Sequence, residues 1–488
     1  MVKRDTLKNN KGEDFVEIYS TKTSFDADIF IIKPVSELGA EELAMLQALY
    51  SRSYASILTH LQEVSEKGCN NFMQQYYVQY GHKSIGDCGS ILMAAEGVSM
   101  LCVKAIQDSQ LYNGQEASTR YINFSNQPFM ALGDDGKWYK STDVGTKTAV
   151  MQESLRDFYL NALPRIQQHL FDTIPYESID QSATTYTKAV YERTIKARSF
   201  DIVRGFLPAG ATTTASWYSS ISHAADHIGW LRNHPLMEVR EVAEALHNVL
   251  LEAYPSSFGG RNVYTEREVY KREYMTKGYY LECGFTEPVV SFMINNSMLY
   301  EYRDLLINRP KGQDLPMQIG ECGVVLWEDN IDFGSFRDIQ RHRAIVQRQG
   351  LLTVKRGFHD WYLNNLPDDL RVDAVEFISQ YIEKYNELEM AGIDKFTMQY
   401  FTPMGFKVPI RLVGSLSKLV YLVELRSQKT VHPTLHDRAH WFSAILKEKI
   451  ANALACEQSE IPFYIDDEVG MMSMKRGTQT ILKEGQEL

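Results

Sequence analysis

Cysteine is scarce in this chain, with six in 488 residues, and none falls in a Cys-x-x-Cys pair. Cys69, Cys88, Cys102, Cys283, Cys322 and Cys456 are too scattered for a disulfide framework or a zinc site, so a reducing, cytoplasmic setting is expected and no metal. No uncharged apolar run reaches membrane-spanning length. Even residues 90–107 are interrupted by Glu96 and Lys104. The first residues run into polar sequence with no apolar core for a signal peptide. Positive charge is in the minority, 51 Lys and Arg against 62 Asp and Glu, for a net charge of −11. That balance argues against a general nucleic-acid surface, yet leaves room for a few arginines to converge on a phosphorylated small molecule.

What is present is enough apolar residue, 44% of the chain with 23% charged, for a globular protein with two or three cores. A repeat points to two. Residues Ile85-Gly86-Asp87-Cys88-Gly89-Ser90-Ile91-Leu92 are echoed 234 positions later by Ile319-Gly320-Glu321-Cys322-Gly323-Val324-Val325-Leu326. Farther on, Trp230-Leu231-Arg232 precedes His234-Pro235 in one half, and Glu424-Leu425-Arg426 precedes His432-Pro433 in the other. Landmarks in the same order suggest a duplicated domain, the alternative being chance similarity of two apolar segments. The expected layout is a first repeat over 1–255, with a polar and loosely ordered segment at 1–25, a linker over 256–284, a second repeat over 285–455 and a tail over 456–488.

The pattern predicts two or three helices between Gly39 and Tyr80, and a buried strand at residues 90–95. Gly97 and Ser99 offer a turn and an N-cap for a helix to about Ser109. Residues 133–137 form a turn. Long helices are expected over 147–169 and 182–251. In the second half a strand near 324–328, a helix over 333–343 and a long apolar helix over 410–426 are expected. Helical runs between a few strands indicate an α+β domain used twice.

Chemistry concentrates at Arg341-His342-Arg343. Arg337 and Arg341 are spaced i, i+4 and project from one helical face, and a planar guanidinium there recognises phosphate or an electron-rich heterocycle through paired donors. The bland alternative is complementing the helix dipole. At the aligned positions the first half has Asp108, Ser109 and Gln110, with no basic residue. It continues with Gln115, Glu116, Ser118, Thr119, Arg120 and Tyr121, which offer an acceptor, hydroxyls and a guanidinium, while the second half has Gln349, Leu351 and Thr353.

In order, Gly81-His82-x-Ser84-x-x-Asp87, an apolar strand, Gly97-x-Ser99, a helix and Gln115-Glu116-x-Ser118-x-Arg120-Tyr121 resemble the flavin-dependent thymidylate synthases, whose Arg-His-Arg triplet stands here at 341–343. Arg204-x-x-Leu207-Pro208, Leu231-Arg232, Glu238-Val239-Arg240 and Leu425-Arg426 follow the family's order too. The resemblance implies methylation of dUMP to dTMP, with FAD as cofactor, methylenetetrahydrofolate as carbon donor and a reduced nicotinamide cofactor as electron source. It implies flavin contacts at Arg341, His342, Arg343, His82, Ser84 and Asp87. Nucleotide contacts would fall at Gln115, Glu116, Ser118, Thr119, Arg120, Tyr121 and Arg204, and catalytic roles at Arg426 and Arg341. It also implies a homodimer imitating the family's tetramer, with a small-molecule nucleotide as partner and neither nucleic acid nor membrane.

The chain departs from the family's pattern in several places. Asn113 and Gln115 stand for a serine and an asparagine of the motif, Asp338 for a glutamine three residues before the triplet, and Gln399 for an arginine before Thr402-Pro403. These departures keep open an FAD-dependent modification of another pyrimidine nucleotide, and a non-catalytic nucleotide-binding or assembly protein. Packing explains His223 with His227, residues 359–362 and residues 76–80 better than a metal, an acid–base group or base stacking does. Gly259-Gly260-Arg261 lacks the spacing of a phosphate loop.

Overall fold

The computed structural model describes residues 1–35, 38–120, 122–178, 187–261 and 263–466. Helices pack around two antiparallel sheets. The first runs in the order β1 (Lys3–Lys8), β2 (Asp14–Lys22), β3 (Asp28–Pro34), β4 (Ser90–Ser99), β8 (Thr212–Ser220) and β5 (Asn113–Glu116), with the hairpin of β6 (Met130–Leu132) and β7 (Trp138–Lys140) beside it. The second runs β9 (Val289–Ile294), β10 (Gly323–Asp332), β12 (Lys407–Ser415) and β11 (Val346–Gln349). The order β3-β4-β8-β5 in one sheet therefore has the counterpart β9-β10-β12-β11 in the other.

In both sheets the second strand of that series feeds straight into a short helix. Gly97, at φ +73°, lets β4 bulge between Glu96 and Val98, and Ser99 then caps the helix Met100–Gln107 by accepting from Cys102 N at 3.0 Å. Asp332 does the same for the helix Phe333–Ile339, accepting from Ser335 N at 2.9 Å.

Four expectations need correction. The polar segment 1–25 holds β1 and β2, an ordered hairpin whose outer strand is exposed on both faces and carries Lys3, Arg4, Asp5 and Lys8, with the apolar Leu7 exposed among them. The expected long helix over 182–251 is broken by β8. Its alternating burial of Ala215, Trp217 and Ser219 is a strand's period of two, between helices Lys188–Val203 and Ile221–Leu231. The expected helix over 410–426 begins as β12, a central strand between β10 and β11, and only Leu416–Arg426 is helical. The helix expected over 333–343 stops at Ile339, so the Arg-His-Arg triplet lies in the turn beyond it.

The two halves join through backbone. Ala209 N donates to Thr402 O at 2.9 Å, and Met404 N to Leu207 O at 2.8 Å. Gly210 N donates to Tyr400 O at 2.9 Å, and Gly405 N to Gly205 O at 2.8 Å. Adding 195 to the numbers of the first-half partners gives the second-half partners. This is the reciprocity of a two-fold interface, where i meets j and j meets i. Glu238, fully buried, strengthens the joint by accepting from Ser99 N at 2.7 Å and from the Tyr400 hydroxyl at 2.8 Å. Side chains complete it: Trp138 lies 4.1 Å from Tyr400 between ring centroids, and Phe158 stacks on Phe377 at 4.7 Å. Trp138 and Tyr400, both buried, each contribute about 1.5–3 kcal/mol relative to exposure, and the partly buried Phe158 and Phe377 less.

Candidate functional site

The turn after Ile339 projects into the seam between β5 and the helix Leu416–Arg426. Three cavities meet at Arg341. One of about 500 Å³ is lined by Asn113, Gly114, Gln115, Trp217, Gln340 and Arg341. A second, of about 850 Å³, is lined by Asp338, His342, Arg343, Tyr421 and Arg426, again with Arg341. The third, about 30 Å³, is walled by Glu116, Arg120, Arg204, Arg337, Asp338 and Arg341. The two larger volumes lie in the range of small-molecule sites. Among the described residues the exposed Arg341 guanidinium makes no hydrogen bond or ion pair, whereas every other arginine of the cluster except Arg204 does.

These groups come from both halves of one chain. Arg337 forms a buried ion pair with Glu116, whose other oxygen accepts from Gln107 at 3.1 Å. Burial pushes the Glu116 carboxyl above its ordinary pKa, opposed first by Arg337 and then by Gln107 and Arg341. Arg120 reaches Asp201 through two bonds, 2.6 and 2.9 Å, on the helix that ends just before Arg204. Arg343 donates to Asn113 Oδ1 at 2.6 Å, and Gln340 donates to Lys104 O at 2.8 Å and to the Asp108 carboxylate. Arg337 and Asp201 carry much of this geometry but were absent from the expected site. The i, i+4 spacing to Arg341 pointed to Arg337, while nothing local marks Asp201.

His342 is not a cation here. It is 6% exposed, and burial with Arg426 beside it lowers its pKa to about 3, Asp338 opposing. Its Nε2 accepts from Arg426 Nε at 2.8 Å, which places the imidazole proton on Nδ1 and holds the plane of the Arg426 guanidinium. Asp338 stays ionised. Burial raises its pKa, but Arg204, Arg120, Arg426 and Arg341 outweigh that and lower it.

The remaining expected residues are placed as follows. Gln115 pairs with Ser216 in the β5–β8 ladder and lines the 500 Å³ cavity. Ser118 and Thr119 line the smallest cavity, Ser118 Oγ accepting from Arg120 N at 3.3 Å. Tyr121 lies outside the described residues. His82, Ser84 and Asp87 line none of these cavities: Asp87 accepts from Ser222, and His82 sits 6.1 Å from the Tyr80 ring. Arg232, the counterpart of Arg426, pairs with Glu244 at 2.8 Å. His223 and His227 stack at 5.7 Å, and among the described residues no group of three or more potential ligands for a metal occurs.

The counterpart of the triplet in the first half is occupied by the chain itself. Asp108 accepts from Lys104 at 2.7 Å and from the hydroxyl of Tyr279, and Tyr280 OH accepts from Gln399 at 3.0 Å. Tyrosines thus engage this part of the first half, where the aligned residues of the second half are arginines.

Residues 35–256 match the family model of the thymidylate synthase complementing protein. Arg341–Arg343 and Arg426 lie beyond the matched residues. The chain is also similar to UPF0159 proteins of Chlamydia pneumoniae and Thermoplasma acidophilum. Each is 22% identical, over 84% and 81% of this chain and 87% and 90% of the relative. Among solved structures, the UMP/dUMP methylase PolB from Streptomyces cacaoi, bound with 5-Br UMP, is similar at 14% identity and a TM-score of 0.28, covering 48% of this chain and 92% of that one. Among the described residues no helix is long and apolar enough to cross a membrane.

Proposed function

We propose that this chain is a tandem-duplicated, flavin-dependent methyltransferase of the thymidylate synthase type, converting dUMP to dTMP with methylenetetrahydrofolate at one site per chain. The observation that carries the reading is the Arg341 guanidinium, free of partners among the described residues where three cavities meet between the halves. The shared strand order and the reciprocal backbone bonds support duplication. The reading further takes the protein as a cytoplasmic homodimer imitating a tetramer.

The larger cavities fit FAD by the chemistry of their lining, with Arg341 and Arg343 for an anionic group and Tyr421 and Trp217 for apolar contact. FAD held there would supply hydride for the methylation when reduced, with a nicotinamide cofactor as the electron source. The chain's residues bind and polarise. Arg426, held by neutral His342, keeps a fixed positive charge where an ionising pyrimidine develops negative charge, so no reorganisation is needed at that moment. The enclosed Arg204 offers donors at the deep end of the cleft. Asp338, in place of the family's glutamine, favours a second reading in which the same chemistry acts on a different pyrimidine nucleotide.

Purified protein incubated with FAD, dithionite or NADPH, methylenetetrahydrofolate and labelled dUMP is expected to yield labelled dTMP, and Arg341→Ala to abolish it. Flavin fluorescence unchanged at saturating protein would overturn the proposal.

A further inference from the structure

The charges around the smallest cavity are largely committed to one another. Arg120 pairs with Asp201, Arg337 with Glu116, and the Tyr362 hydroxyl donates to Asp332 at 2.8 Å. Beside the free Arg341 and the Oδ1 of Asp332, which is enclosed with no partner among the described residues, two groups that line the cavity are not satisfied. Among the described residues, Arg204, 2% exposed, has its Nε and Nη2 enclosed with no acceptor, and Asp338 has its Oδ2 enclosed with no donor. Both line the same cavity. Enclosed polar atoms left in this way are costly, and the chain tolerates them where a ligand completes them.

The ligand group must satisfy both at once, accepting from Arg204 and donating to Asp338. An O–H group does so, whether a sugar hydroxyl or a singly protonated phosphate. A fully ionised phosphate has only acceptors and sets two negative charges against the Asp338 carboxylate. The local balance agrees. Five guanidiniums, of Arg120, Arg204, Arg337, Arg341 and Arg426, face four carboxylates, of Glu116, Asp201, Asp332 and Asp338, leaving a single positive charge. The other titratable neighbours, His342 and His432, whose pKa burial lowers, and Tyr362, whose pKa burial raises, add no charge.

We propose that Asp338 is a specificity-determining residue that accepts a hydrogen bond from a ligand O–H group in this cavity, and so turns the site away from dianionic phosphate. The inference rests on the reading above that a pyrimidine nucleotide occupies the cleft. In the first half the aligned residue is Ala105, so nothing comparable exists there.

The test is calorimetric titration of the full chain with deoxyuridine and with dUMP, at pH 8.0 and pH 5.5. These values bracket the second phosphate pKa of about 6. At pH 8.0, Asp338→Asn should raise the affinity for dUMP relative to deoxyuridine at least tenfold, and Asp338→Glu, which keeps the charge, should leave that ratio near the wild type's. If a sugar hydroxyl is the donor, the wild type binds deoxyuridine equally at both pH values. If a protonated phosphate is, the wild type binds dUMP more tightly at pH 5.5, and Asp338→Asn does not. An unchanged ratio in a folded Asp338→Asn would overturn the inference while leaving the nucleotide reading intact. Binding of neither ligand to any form would instead overturn the nucleotide reading, and this inference with it.

Discussion

The ion pair between Arg337 and Glu116 ties the halves together at the cleft, and its removal should be felt across the whole chain. The two side chains are 12% and 5% exposed, so this is a buried pair and not a surface one. Replacing Arg337 with leucine leaves Glu116 with Gln107 as its donor and strands a carboxylate that burial already drives toward protonation. Breaking a buried pair from one side costs about 3–5 kcal/mol. Protonation of Glu116 relieves part of that, so a loss of about 3 kcal/mol is expected for Arg337→Leu. Adding Glu116→Gln removes the stranded charge, and the double variant should be less destabilised than the sum of the singles by about 1.5–3 kcal/mol, the worth of a charge-assisted hydrogen bond. Urea unfolding followed by tryptophan fluorescence gives all four corners of the cycle. A single-variant loss within the ~0–1 kcal/mol of an exposed pair, with no coupling, would refute the claim that this contact holds the halves in register.

Two further outcomes follow from the same geometry. Arg426→Lys keeps the charge but loses the planar fork aligned by His342, so turnover should fall by more than tenfold while nucleotide affinity changes little. Arg232→Lys, which disturbs only a pair with Glu244, should be nearly neutral, and equal losses from the two would remove the case for Arg426. His342 gives the pH dependence. Its folded pKa of about 3 lies below the ordinary value of 6.5, so the unfolded chain takes up the proton first. Stability from this group is complete above pH 6.5 and drains as pH falls toward 3, by about 1.4 kcal/mol per pH unit. Unfolding at pH 5.5 and 4.5 should show that extra slope in the wild type and not in His342→Gln. Equal slopes would mean the imidazole is not held neutral.

Much of the local structure was legible in the chain itself. Gly97 and Ser99 announced a turn, which the structure realises as a bulge, and a cap, because positive φ and a side-chain acceptor are properties of single residues. The turn at 133–137 was readable for the same reason, with Gly133 N donating to Lys137 O at 2.8 Å. The strands β8 and β12 were read as helix. Thr212–Ser220 and Lys407–Ser415 are short runs whose state depends on pairing with residues of β4 and β10 that lie 75 or more positions away. The N-terminal hairpin escaped notice because an edge strand with two wet faces carries no apolar face to detect.

At the site, the residue types and their concentration around Arg341 belonged to the sequence: guanidiniums near 341–343, and a carboxylate with a guanidinium at Glu116 and Arg120. How those charges are spent was decided only by the tertiary structure. Asp201 takes Arg120, Glu116 takes Arg337, and His342 gives up its proton to become the acceptor for Arg426. What remains, a free Arg341, an unsatisfied Arg204 and an unsatisfied Asp338, is a remainder after all pairings are made. Pairing energies depend on distance and burial, and residues 81 to 221 positions apart acquire both only when the two halves close on each other.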